Sequence, residues 1–91
     1  MFALFTENNE TNGQEFFWKM HVEGVDKEEC EQKIINYMKE MYGDYPNTAD
    51  VDGLLYCSYN LDDRTVCVYD VSYFDTRESL VEELMQMTEV L

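Results

Sequence analysis

The sequence predicts an α+β domain, a small antiparallel sheet with two helices in the order β-β-α-β-β-α, spanning residues 1–91 as one unit. Three observations lead there. Bulky residues recur with period two over residues 14–23, the runs 54–59 and 65–73 are rich in Tyr, Val and Cys, and a three-to-four-residue period marks both 26–42 and 76–91.

Taken in order, Phe2-Ala3-Leu4-Phe5-Thr6 reads as a short apolar strand that runs into a loop at Asn8, Asn9, Asn12 and Gly13, all turn formers. Phe16, Trp18, Met20 and Val22 then alternate with Phe17, Lys19, His21 and Glu23, the pattern of a strand with one buried face. From Asp26 the period changes, with Cys30, Ile34, Tyr37 or Met38, and Met41 forming one stripe. Asp26 and Glu29 suit a capping box, Val25 and Cys30 a hydrophobic staple, and Gly43 a helix C-terminus. Residues 44–53 hold the only proline and no periodicity, so they are expected to form a connecting loop with an acidic edge.

Two strands joined through Asn60–Arg64 make a hairpin. A turn centred on Asp62 would set Cys57 opposite Cys67, Leu55 opposite Tyr69 and Tyr59 opposite Thr65. The odd-numbered face, including Leu55, Cys57, Tyr59, Cys67, Tyr69, Val71 and Tyr73, is expected to join the core. The other face would then leave an apolar patch, and such patches mark association, here a homodimer. Asp75 or Thr76 caps the last helix, with Leu80, Leu84, Met87 and Leu91 on one stripe.

Charge excludes several functions. Twenty Asp and Glu against six Lys and Arg give a net charge of −14, which repels nucleic acids and anionic membranes, so neither is an expected partner. The aromatic content of 14% separates the chain from disordered acidic tails. No apolar run reaches the roughly 20 residues of a membrane span, and MFALF lacks the flank of a signal peptide; a cytoplasmic protein is expected. Three scattered cysteines without a C-x-x-C pair suit reduced thiols, with a Cys57–Cys67 bridge conceivable only under oxidation.

Catalysis and metal binding find little support. His21 is the only histidine and has no predictable partner, and nothing basic is placed to activate a cysteine. Asp50-Val51-Asp52-Gly53 imitates part of a calcium loop, but the first and twelfth positions would be Thr48 and Tyr59, which offer no carboxylate. No metal, no cofactor and no enzymatic activity are expected.

The carboxylates remain. Duplex DNA carries a charge every ~1.7 Å of axis, roughly one per 100 Å² of its lateral surface. A folded chain of this mass exposes roughly 5,500 Å², so its acids average about one per 280 Å². Imitation of DNA therefore requires the acids to be gathered on part of the surface. Residues 46–91 hold ten acids against Arg64 and Arg77 alone, and Glu78, Glu82 and Glu89, with Glu83 beside them, recur along the last helix.

In length, charge, compact α+β order and the Tyr- and Met-rich style of Tyr37-Met38-Lys39-Glu40-Met41-Tyr42-Gly43-Asp44-Tyr45, the chain resembles the small acidic anti-restriction proteins of T-even phages. The resemblance implies a DNA mimic that occupies the DNA-binding site of a host defence protein with a basic groove, such as the modified-cytosine restriction enzyme McrBC. The acids expected to stand in for phosphates are Asp44, Asp50 and Asp52; Asp62, Asp63 and Asp70; and Asp75, Glu78, Glu82, Glu83 and Glu89. An acidic interaction module that binds a basic surface without imitating DNA is the alternative.

Overall fold

Asn12 and Gly13, at φ 53° and 79°, close a two-residue turn between β1 (Phe2–Thr11) and β2 (Gln14–Glu23). Only residues that tolerate positive φ can make this turn, whose twist matches the strands it joins. The structure, a computed structural model, describes residues 1–87. Asn8 and Asn9, expected in a loop, continue β1 instead, because ladders on both sides claim their backbone: Asn9 pairs with Phe16 on β2 and Val66 on β5.

Helix α1 (Lys27–Tyr42) starts and stops as expected. The Asp26 carboxylate accepts from Glu29 N at 2.9 Å, and Gly43 N donates to Lys39 O at 3.0 Å. The staple does not form: Val25 is 82% exposed while Cys30 is fully buried. Gly24 takes over that junction. It exchanges hydrogen bonds with Met1, and a Cβ there would sit 2.9 Å from Cys30 N.

The expected connecting loop contains a fifth strand, β3 (Asn47–Val51), joined to β4 (Leu54–Asn60) by Asp52-Gly53 at φ 54° and 81°. The architecture is thus α+β in the order ββαβββα, with one antiparallel sheet ordered β2-β1-β5-β4-β3. All five residues of β3 are exposed, so no burial period betrays it. Its signal is the Asp-Gly turn.

Between β4 and β5 (Thr65–Phe74) the register is one residue away from that expected. Cys57 faces Val68, Ser58 faces Cys67 and Tyr59 faces Val66. The link is the four-residue Leu61–Arg64, closed by Leu61 N donating to Arg64 O at 2.8 Å. A one-residue slip exchanges the two faces of a strand, so Val66 and Val68 enter the core in place of Cys67 and Tyr69. Farther along, β1 and β5 change register between Leu4 and Thr6, opposite Asp70 and Val71. Asp70, at φ 53°, is the extra residue of this bulge and restores the odd positions Val71 and Tyr73 to the core side.

One face of the sheet packs under α1, with Ala3, Phe5, Leu55, Cys57, Val66, Val68 and Val71 against Cys30, Ile34 and Met38. Helix α2 (Arg77–Gln86), capped by Thr76 accepting from Ser79 N, packs on β1 and β5. Its Leu80 and the oppositely directed Leu4 are both buried but stand outside the α1 cluster, which places α2 on the other face. Leu84 is half-buried, Met87 is exposed, and Leu91 lies outside the described residues. No helix among the described residues is long and apolar enough to cross a membrane.

Candidate functional site

The expected acids divide between the two ends of the strands. Asp62 and Asp63 form the β4–β5 turn, at the end where Glu10 faces both Glu15 and Thr65. Asp44 belongs to this end too, since Gly43 O accepts from Tyr59 OH at 2.6 Å. Asp50 and Asp52 lie at the opposite end, where Lys27 Nζ reaches Gly53 O and Asp50 Oδ1 accepts from Gly53 N at 2.7 Å. Asp75 follows β5 at that end, and Asp70 stands at the bulge. Ten-residue strands hold the two ends about 30 Å apart.

On α2, Glu78 and Glu82 are exposed one turn apart, and Glu83 is half-buried. Glu89 lies outside the described residues. The acids are therefore two rims and one helix face. The surface of 6357 Å² shared among 20 Asp and Glu gives about 320 Å² each, against roughly 100 Å² per charge on DNA.

Most of these carboxylates play no part in holding the fold. Apart from Asp50 in its turn and Asp63, 3.6 Å from Arg64, the other eight described ones make no hydrogen bond or ion pair among the described residues. The cations behave differently. Lys27 reaches Gly53 O and lies 5.2 Å from the centre of the Tyr73 ring, Lys33 donates to Glu23 O, and Lys19 donates to Thr6 Oγ1 at 2.8 Å. Lys27 and Lys33 also lie 3.8 and 3.6 Å from Glu31 and Glu29 on their own helix, so these charges sit beside acids outside the expected set.

A second feature was not anticipated in the sequence. An open groove of ≈ 450 Å³ lies where α1 ends, between the helix and the β1–β2 ladder. Its floor carries Glu7 and Asn9, only 4% and 7% exposed. Tyr37 and Tyr42 donate to the same oxygen, Glu7 Oε1, at 3.1 and 3.2 Å, and Asn9 Nδ2 donates to Tyr42 OH at 3.1 Å. Burial, reinforced by the neighbouring carboxylate, pushes the Tyr37 hydroxyl up to about 12. Burial also raises Tyr42.

The outer wall is aromatic. Phe16 and Trp18 on β2 stand with ring centres 6.3 Å apart and planes at 28°, each about half exposed. The face of β2 expected to be buried is thus covered only at Met20 and Val22, where α1 reaches it. The signal for the groove lay in Phe16 and Trp18, but their period cannot tell a covered face from a bare one.

The remaining chemical groups make no assembly. His21 is exposed on β2, and no group of three or more metal-ligating side chains occurs among the described residues. Burial raises the thiols of Cys30, Cys57 and Cys67, which disfavours thiolate. Cys57 and Cys67 point to opposite faces of the sheet, so the conceivable bridge between them has no geometry to form. Asp52 is a turn residue of the β3–β4 hairpin and Asp50 pairs with Leu55 just before it, so the segment is a hairpin and not a calcium loop leading into a helix. No protein-family model, curated protein or solved structure matches this chain.

Proposed function

We propose that this protein is a DNA-mimicking inhibitor, without enzymatic activity, of a DNA-binding host protein. The target implied by the resemblance to T-even phage anti-restriction proteins, Arn among them, is a restriction enzyme such as McrBC. The observation that carries the reading is that the acids are displayed: eight exposed or half-exposed carboxylates make no hydrogen bond or ion pair among the described residues, whereas three of the six bases, Lys19, Lys27 and Lys33, are engaged within the fold. An uncompensated field of this kind costs stability through self-repulsion and speeds encounter with a basic groove.

One copy is too sparse in charge to match a duplex, so the proposal includes a homodimer. The sheet face opposite α1 supplies a surface for it: Phe17, Val51, Leu54 and Tyr56 are all at least 38% exposed there, with Cys67 and Tyr69 half-buried among them. Pairing two copies through this patch would bring four acidic rims into one particle and cover its apolar area.

The test is competition. McrBC bound to a modified-cytosine duplex is expected to release the DNA when this protein is added, with inhibition weakening as salt is raised. A ternary complex holding DNA and this protein together would reject mimicry. That outcome would leave the acidic interaction module, the second reading, which the aromatic groove favours because nothing in a DNA duplex corresponds to it.

A further inference from the structure

The groove at the end of α1 joins three properties seldom found together on a surface. It has a buried carboxylate, aromatic walls and no ion pair to that carboxylate among the described residues. Glu7 is 4% exposed and takes part in none of the three ion pairs among the described residues. Arg64 lines the groove and its charge acts on Tyr42, but its ion pair is with Asp63 at 3.6 Å and not with Glu7. Both tyrosine hydroxyls donate to Oε1, which leaves Oε2 without a hydrogen-bond partner among the described residues.

Oε2 is not among the buried atoms left without a partner, so it opens to the groove, where a donor can reach it while the two phenols hold Oε1. Phe16 and Trp18 meanwhile stand half exposed beside it, with Trp18 directly across the ladder from Glu7. Aromatic faces attract cations, and a guanidinium both stacks on such faces and donates to carboxylate oxygens from its planar edge. An ammonium is more strongly hydrated and cannot stack. We infer that this groove is a receptor for an arginine side chain of a protein partner, with Glu7 receiving the guanidinium and Phe16 and Trp18 stacking on it.

This inference rests only on what the two functional readings share, a basic partner. The rims would supply long-range attraction and the groove one anchored contact. Such division is common at interfaces, where a few desolvated pockets carry most of the energy.

Trp18 is the only tryptophan, so the groove carries its own reporter. The experiment is a titration of Trp18 fluorescence with N-acetyl-arginine amide and, separately, with its neutral isostere N-acetyl-citrulline amide, at matched ionic strength. A saturable change with the arginine probe and none with the citrulline probe is expected. Glu7→Gln keeps the acceptor for both tyrosines and removes one charge of 20; it should weaken the arginine probe about tenfold or more, as loss of a buried charge partner does. Diffuse attraction to the acidic surface would scarcely notice that change.

Phe16→Leu, on an exposed edge, should weaken the probe about two- to fivefold, and it decides the matter alone if Glu7→Gln does not fold. Equal responses to both probes, no saturable response, or unchanged affinity in the folded variants would overturn the inference. No partner protein enters the titration, so its failure leaves the competition between DNA and this protein to be judged separately.

Discussion

On the α1 face of the sheet, Ala3, Phe5, Cys57, Val66 and Val68 are sealed beneath a sixteen-residue helix, whereas on the opposite face Phe17, Leu54 and Tyr56 stand open beyond the reach of α2. The difference is one of lengths. A helix of sixteen residues is about 24 Å long and one of ten about 15 Å, while five strands span roughly 19 Å between the outer two. Helix α1 can cross most of the sheet, touching β1, β2 and β4; the described residues of α2 pack chiefly against β1 and β5. Close packing and open apolar surface therefore lie on different faces. Only at the bare end of β2 does the α1 face also leave large side chains exposed.

That division is open to breaking by substitution. Ile34→Ala removes a fully buried side chain from the sealed face and is expected to cost about 2–5 kcal/mol in urea unfolding. Tyr56→Ser on the open face is expected to cost less than about 1 kcal/mol while lowering the mass seen by sedimentation from dimer to monomer. Equal stability losses would mean that the open face belongs to the core. A mass unchanged by Tyr56→Ser would remove this face from the proposed dimer.

Gly24 tests how tightly the sealed face is closed. Its absent side chain lets the β2 end approach the first turn of α1, and an added methyl would meet Cys30 N at 2.9 Å and Cys30 Sγ at 3.1 Å. The backbone nitrogen cannot move without disturbing its bond to Asp26 O. Gly24→Ala is expected to destabilise by about 1–3 kcal/mol in the same assay. Gly13, where nothing lies near the site, would report only the strain of its positive φ.

These elements differ in how well the sequence announced them. Helix α1 was legible in both ends because Asp26 and Gly43 mark local chemistry, and β2 because its alternation is unbroken. Strand β3 is hidden, since all its residues are exposed and its only cue, Asp52-Gly53, suits an acidic connecting loop equally well. The β4–β5 register turned on whether the link holds an odd or even number of residues, which Asn60–Arg64 does not reveal, and the Asp70 bulge then reversed the parity again. Of the site, exposure of the acids followed from composition. Their separation onto two rims depended on β3, and the groove depended on where α1 stops.

Between the two faces in expected effect lies the buried network of the groove. Tyr37 ionises at about 10 when unfolded but only at about 12 in the fold, where burial first and Glu7 second oppose the phenolate. A raised folded value means that the stabilising contribution is whole below about pH 10 and is lost as pH climbs through 12. Thermal melts should therefore fall more steeply over that window than in Tyr37→Phe. Tyr42, raised by the same burial, should leave the variant a residual slope. Identical profiles would mean that Tyr37 is not tied to the buried carboxylate.

The smallest expected effect on stability belongs to the acids themselves. Glu78 and Glu82 are exposed and without partners among the described residues, so reversing both to Lys should change unfolding by no more than about 0.5 kcal/mol. Two influences of similar size oppose each other: relief of self-repulsion as the net charge falls from −14 to −10, and loss of negative charge near the α2 N-terminus. Binding to the proposed basic partner should weaken clearly, because the local field changes sign. If the double reversal instead unfolds the chain, these carboxylates serve the fold; if affinity survives unchanged, the α2 face drops out of the interface and the strand-end rims alone must carry it.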